Sequence, residues 1–127
     1  MADMRTPLNK VRGLGSAREG ADHFWRQRLT ALANIPLTLF LVFTVIMLAG
    51  KDHATVTAYL GSSLVAIALL ALVLSAMVHM RLGMQTVIED YIHSEGLKVV
   101  CLILNTFFVI LVGLSCVYAI VKLSLGA

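Results

Sequence analysis

Three long segments almost free of charge constrain this chain more than any other feature of it. The first, LTALANIPLTLFLVFTVIMLA, runs from Leu29 to Ala49; the second covers about 58–80 and the third about 99–121. Each matches the roughly 20 apolar residues needed to cross a hydrocarbon core. Lipid offers no partner to a backbone N–H or C=O, so segments of this length are expected to be helices, which satisfy those groups internally. Only 13% of the 127 residues are charged, about half the share of a soluble domain, and the deficit lies in these three segments. The expected fold class is all-α integral membrane: a tail over residues 1–28, then a transmembrane anchor of three helices over 29–127.

The remaining charge orients the chain. Arg5, Lys10, Arg12, Arg18, Arg26 and Arg28 crowd the tail, whereas the first loop carries Lys51 alone as its basic residue. By the positive-inside rule the tail, and with it the second loop, is expected on the cytoplasmic side. Lys122 is placed to snorkel at the opposite face. No cleavable secretory signal is expected, because the tail before the first span is long and that span has transmembrane length. Cys101 and Cys116 share the third span; about 22 Å of helix separates them, too far for a disulfide. The net charge of +3 belongs to the tail and suits lipid headgroups or an acidic protein partner, not nucleic acid.

Polar residues within and beside the spans are the functional candidates. Pro36 is expected to kink the first span or lie near its first turn, and Asn34 to hydrogen-bond a neighbouring helix. Of four histidines only His79 reaches membrane depth, where ionisable groups are expensive and tend to be functional. A neutral imidazole there is a nitrogen ligand for iron, an interhelical hydrogen-bonding group, or an interfacial residue with neither role, and the residues leave all three open. Ser75 and Gly83 flank it at i−4 and i+4, on one helical face. That small-residue stripe suits a flat macrocycle and a close helix equally. Asp90 follows His79 by eleven residues, so in a continuous helix it returns to nearly the same face about 16 Å along the axis. Tyr91 beside it is either an interfacial anchor or a hydroxyl donor to a redox headgroup. Arg28 opens the first span, as a positive-inside anchor beside Trp25 or as a bidentate partner for a carboxylate. Glu89 and Glu95 read as solvated interface residues.

Taken together, RLTA at the opening of the first span and H-x3-G-x6-DY across the end of the second resemble the smaller hydrophobic membrane-anchor subunit of succinate dehydrogenase, respiratory complex II. The resemblance runs from about Gly13 onward, and the tail GLGSAREGADHFWRQRL looks like its alphaproteobacterial members. It implies His79 as an axial ligand of haem b, Tyr91 with Asp90 at the ubiquinone site, and Arg28 near a haem propionate. Ser75 and Gly83 would pack toward the haem. It also implies a second cytochrome b-type anchor subunit, an iron–sulfur subunit and a flavoprotein subunit as partners, in a bacterial inner membrane or a mitochondrial one. Residue arithmetic adds that one membrane-depth histidine cannot provide two axial imidazoles, so a bis-histidine haem would take its second ligand from another chain, either a different subunit or a second copy of this one.

Other readings are a fumarate reductase anchor, a small multispan transporter, and a structural anchor without cofactor. The transporter reading is weakened because no span contains Asp or Glu, the groups such proteins place at membrane depth to bind a cation or proton. No nucleophile–base set, metal-cluster spacing or nucleotide loop is present, so the chain is expected to catalyse nothing alone.

Overall fold

The structure is a computed structural model that describes residues 6–13 and 19–126; Arg5 and Arg18 of the basic tail lie outside the described residues. A short helix α1 (Pro7–Val11) precedes α2 (Glu19–Leu48), α3 (His53–Gly61), α4 (Ser63–Tyr91) and α5 (Glu95–Ser124). The described residues are otherwise turns and connections, with no strand among them. Helices α2, α4 and α5 are 30, 29 and 30 residues long and apolar enough to cross a membrane. Each is about 45 Å long, more than the hydrocarbon thickness. Their polar ends therefore project past it: Glu19–Arg28 on α2, and the turns from Arg81 to Tyr91 on α4.

The expected spans lie within this framework, but the helix limits differ from the hydropathy limits. The apolar run of the second span ends near Met80, yet α4 continues to Tyr91. Polar residues extend it without breaking it, because a helix needs only its own backbone bonds to continue. Gln85 Nε2 donates to Glu89 Oε1 at 2.8 Å along this extension. Only residues 92–94 then connect α4 to α5. At the other end, Ala58 lies in the separate helix α3, and α4 starts at Ser63. The break falls at Ser62, whose extended backbone (φ −65°, ψ 138°) turns the chain. Asp52 starts α3 by accepting from the Thr55 backbone N–H at 3.1 Å and its hydroxyl at 2.6 Å. These bonds, the side-chain bond foremost, hold the Asp52 carboxyl below its ordinary range. Pro36 sits inside the continuous helix α2, some five turns from its start.

α4 is the central element. It packs along both α2 and α5, which do not pack against each other to any comparable extent. Accordingly 17% of its apolar stretch is buried within the chain, against 6% for each flanking helix. The enclosed apolar set is small: Val65, Ala66, Ile88 and Val109, with Thr44 as a buried polar residue. Most large apolar side chains, among them Leu32, Leu39, Phe107 and Leu111, point outward. The hydrocarbon solvates such residues as well as a core would, so packing among membrane helices is not driven by water exclusion. Close approach through small residues takes over. A Cβ on Gly61 of α3 would meet the Leu123 carbonyl oxygen of α5 at 2.7 Å, and backbone cannot swing aside.

Gly61→Ala is therefore expected to destabilise the assembled bundle by about 1–3 kcal/mol through overpacking, read as a lower melting temperature in detergent. Gly96→Ala serves as control: Gly96 faces open space, and alanine in a helix is stabilising or neutral there.

Candidate functional site

The seam between α2 and α4 holds the polar chemistry of the membrane interior. The antiparallel helices bring residues 27–30 of α2 against residues 75–83 of α4. His79 sits there, half-buried. Its Nδ1 lies 3.2 Å from Thr30 Oγ1 and 3.3 Å from the main-chain oxygen of Gln27, both on α2. One turn earlier on α4, the Ser75 hydroxyl donates to the Thr30 carbonyl at 3.3 Å. One turn later, a Cβ on Gly83 would come within 3.2 Å of the Gln27 side-chain nitrogen. The stripe of Ser75, His79 and Gly83 is thus the face of α4 that meets α2: of its two possible occupants, a close helix is the one present in this chain. α5 joins at the same level, where Asn105 Nδ2 donates to the Arg81 carbonyl at 3.1 Å.

His79 also borders open space. With Ala31, Asn34, Ile35, Thr38 and Leu39 of α2 it lines a groove of about 400 Å³. The groove is mostly apolar, but Asn34 Oδ1 is buried with no hydrogen-bond partner. His79 Nε2 makes no hydrogen bond within the described residues, since both contacts of the ring use Nδ1. Arg28 stands at the end of this same α2 face: residues 28, 31, 35 and 39 recur at helical spacing, with Arg28 about one turn before the groove. Its guanidinium carbon lies 4.9 Å above the Phe24 ring, and the side chain is exposed.

Asp90 and Tyr91 form a separate group. α4 is continuous to Tyr91, so the Asp90 position does lie about three turns beyond His79 near the same face. Both residues are exposed, Tyr91 by 78%. Neither side chain makes a hydrogen bond or ion pair within the described residues, whereas nearby Glu95 pairs with Lys98 at 3.5 Å. The structure therefore gathers His79, Ser75 and Gly83 at one seam, sets Arg28 at the end of the adjoining groove, and leaves Asp90 and Tyr91 at the helix end facing outward. Between groove and helix end lies a polar cleft of about 310 Å³ lined by Asp22, His23, Arg26, Arg81, Leu82 and Gln85. No group of three or more His, Cys, Asp or Glu side chains able to hold a metal ion occurs among the described residues.

Sequence reasoning missed Thr30 and the Gln27 carbonyl, the two α2 partners of His79. A signal was present in the recurrence of Gln27, Thr30, Asn34 and Thr38 on one side of an otherwise apolar helix. Pairing that side with His79 required the helix register.

Fold and site define the class: a three-span helical membrane subunit whose single membrane-depth histidine is held from α2 and borders a groove open to other molecules. The family of succinate dehydrogenase/fumarate reductase transmembrane subunits matches over residues 2–113, and the chain belongs to that family. It is 32% identical over 122 residues to the succinate dehydrogenase hydrophobic membrane anchor subunit of Paracoccus denitrificans, covering 96% of this chain and 94% of that one. It is 31% identical to the subunit of the same description from Rickettsia bellii, over 93% of this chain and 94% of that one. A succinate dehydrogenase membrane anchor subunit of Reclinomonas americana is 31% identical over 68% of this chain and 75% of its own length. No solved structure matches the chain.

The seam makes a graded prediction at Gly83. The nearest atom to an added Cβ is the end of a flexible glutamine, so Gly83→Ala is expected to cost under about 1 kcal/mol, whereas Gly83→Leu forces α2 and α4 apart and costs about 1–3 kcal/mol. Thermal melts of the two variants in the same detergent check the order.

Proposed function

We propose that this chain is the hydrophobic membrane anchor of a succinate:ubiquinone oxidoreductase in a bacterial inner membrane, with its N-terminal tail cytoplasmic. In this reading it helps hold haem b and ubiquinone and docks the iron–sulfur and flavoprotein subunits. The observation that carries the reading is His79. Its Nδ1 is engaged by α2 while Nε2 is free beside an apolar groove, the arrangement expected of an imidazole kept ready for iron. The residues fit the group. Ala31, Ile35 and Leu39 are small or aliphatic and suit a porphyrin face, and Arg28 at the groove's end suits a propionate carboxylate. Ser75 and Gly83 serve such a haem by keeping α2 close enough to orient the ring. Bound between two imidazoles, the haem would supply a one-electron redox centre.

The same reading includes a second cytochrome b-type anchor subunit. One chain with one histidine at depth cannot give two axial imidazoles. Lipid and this partner would share the outward apolar surface of the three helices. Ubiquinone reduction consumes two electrons and two protons, so its carbonyl oxygens need hydrogen-bond donors at the membrane surface. The exposed, unpaired Tyr91 hydroxyl can donate to one of them. The unpaired Asp90 carboxylate is suited to holding a neighbouring cation, for example one contributed by a partner subunit. The family also includes fumarate reductase subunits; the three relatives above, all of succinate dehydrogenase, favour the succinate-oxidising direction.

Two measurements test this reading. In the complex purified through this subunit, a reduced-minus-oxidised spectrum is expected to show a b-type haem signal that His79→Ala abolishes while the flavoprotein and iron–sulfur subunits still co-purify. A native complex without haem overturns the ligand role. Tyr91→Phe is expected to lower succinate-driven quinone reduction about tenfold, the scale of one lost hydrogen bond, with succinate-driven reduction of a soluble dye unchanged. Equal loss of both activities removes Tyr91 from the quinone site.

A further inference from the structure

We propose that Thr30, acting with the main-chain carbonyl of Gln27, is a positioning residue that sets the tautomer and ring plane of His79, so that docking of α2 prepares the other ring nitrogen, Nε2. The proposal deepens the haem-ligand reading and rests on it for its redox consequence.

The argument is a count of hydrogens. A main-chain carbonyl can only accept, so the Gln27 oxygen 3.3 Å from Nδ1 calls for a hydrogen on that nitrogen. Thr30 Oγ1 lies 3.2 Å away and owns one hydrogen. Its own helix offers that hydrogen two acceptors, the Arg26 carbonyl at 2.7 Å and the Gln27 carbonyl at 3.1 Å. Once spent there, the hydroxyl presents a lone pair to the imidazole. Both α2 atoms are then acceptors for one shared Nδ1–H, and Nε2 is left with its lone pair. The opposite tautomer would set the Nδ1 lone pair against two oxygen lone pairs at hydrogen-bonding distance, in surroundings where water cannot compensate.

Nothing in α4 itself imposes this state, since the described contacts of the ring polar atoms all go to α2. The bond from Ser75 to the Thr30 carbonyl and the close approach at Gly83 keep the two helices in the register that makes it possible. A hydrogen bond of this kind behind a ligating imidazole orients it and raises its basicity, which favours the oxidised metal and strengthens retention.

Thr30→Val removes the acceptor at nearly constant shape, and Thr30→Ser restores it. In the intact purified complex, Thr30→Val is expected to raise the haem midpoint potential, shift the low-spin electron paramagnetic resonance signal of the oxidised haem, and weaken haem retention about tenfold. Thr30→Ser is expected to match the native complex in all three. A Thr30→Val complex with native potential and spectrum overturns the proposal, as does a serine variant shifted as far as the valine one, which would mark a packing effect. The tautomer is read separately, by nitrogen NMR of the full-length chain with labelled histidine in lipid nanodiscs without haem, the His79 signal being assigned by its loss in His79→Gln. Protonated Nδ1 with unprotonated Nε2 supports the proposal, and the reverse overturns it. This second reading stands even where Thr30→Val does not assemble. It also separates the two ideas: a native complex without haem sinks the ligand reading, and the NMR spectra of the native and Thr30→Val chains, compared, then decide the role of Thr30.

Discussion

A hydrocarbon core supplies no hydrogen-bond partners, and the organisation of this chain follows from that. The backbone has to satisfy itself, which makes each apolar segment a helix. Polar side chains carried into the core bond to their own helix, as Thr106 and Ser115 do, or to a neighbouring one. His79, Thr30, Ser75, Gln27 and Asn105 are such side chains or bring their backbone to one, and their contacts lie in one belt where α4 crosses its two neighbours. Interhelical bonds of this kind are individually modest, on the order of 0.6 kcal/mol in membranes. Their effect here is on register more than on stability. They choose one sliding and rotational setting of α2 on α4 out of many that aliphatic packing alone would tolerate.

The same solvent explains why so little of the chain is buried. With only four apolar residues in the enclosed core among the described residues, a soluble protein of this size would not hold together. In lipid the outward Leu, Ile, Val and Phe side chains carry no penalty, and close approach at glycine supplies packing instead. The row of helices with α4 in the middle leaves the groove face of α2 unoccupied by this chain. A subunit that belongs to a multi-subunit respiratory family is built in this way as part of a larger membrane unit.

How far the residues alone could be read varies with the physics behind each element. The three spans were legible because hydropathy acts locally and each segment is long. The reach of α4 to Tyr91 was not, since Arg81, Gln85 and Glu89 end the apolar pattern while leaving the helical backbone undisturbed. The separate helix α3 escaped notice for the opposite reason: His53–Gly61 is apolar enough to merge with the second span, and only the extended backbone at Ser62 divides them. At the seam, the membrane depth of His79 and its common face with Ser75 and Gly83 followed from spacing. What lies on that face did not, because a macrocycle and a neighbouring helix ask for the same small residues.

By itself, then, the sequence determined an all-helical membrane protein, the number of its spans, and the single histidine at depth, all of which depend on the transfer of individual residues and segments into lipid. The tertiary structure decided which nitrogen of that histidine is engaged, that α2 occupies the small-residue stripe, and that Arg28 stands at the end of the groove while Asp90 and Tyr91 face outward. Those outcomes depend on the rotation and register of one helix against another. Residues 27 and 79 are 52 positions apart, and no local pattern specifies how two helices that far apart in the chain meet.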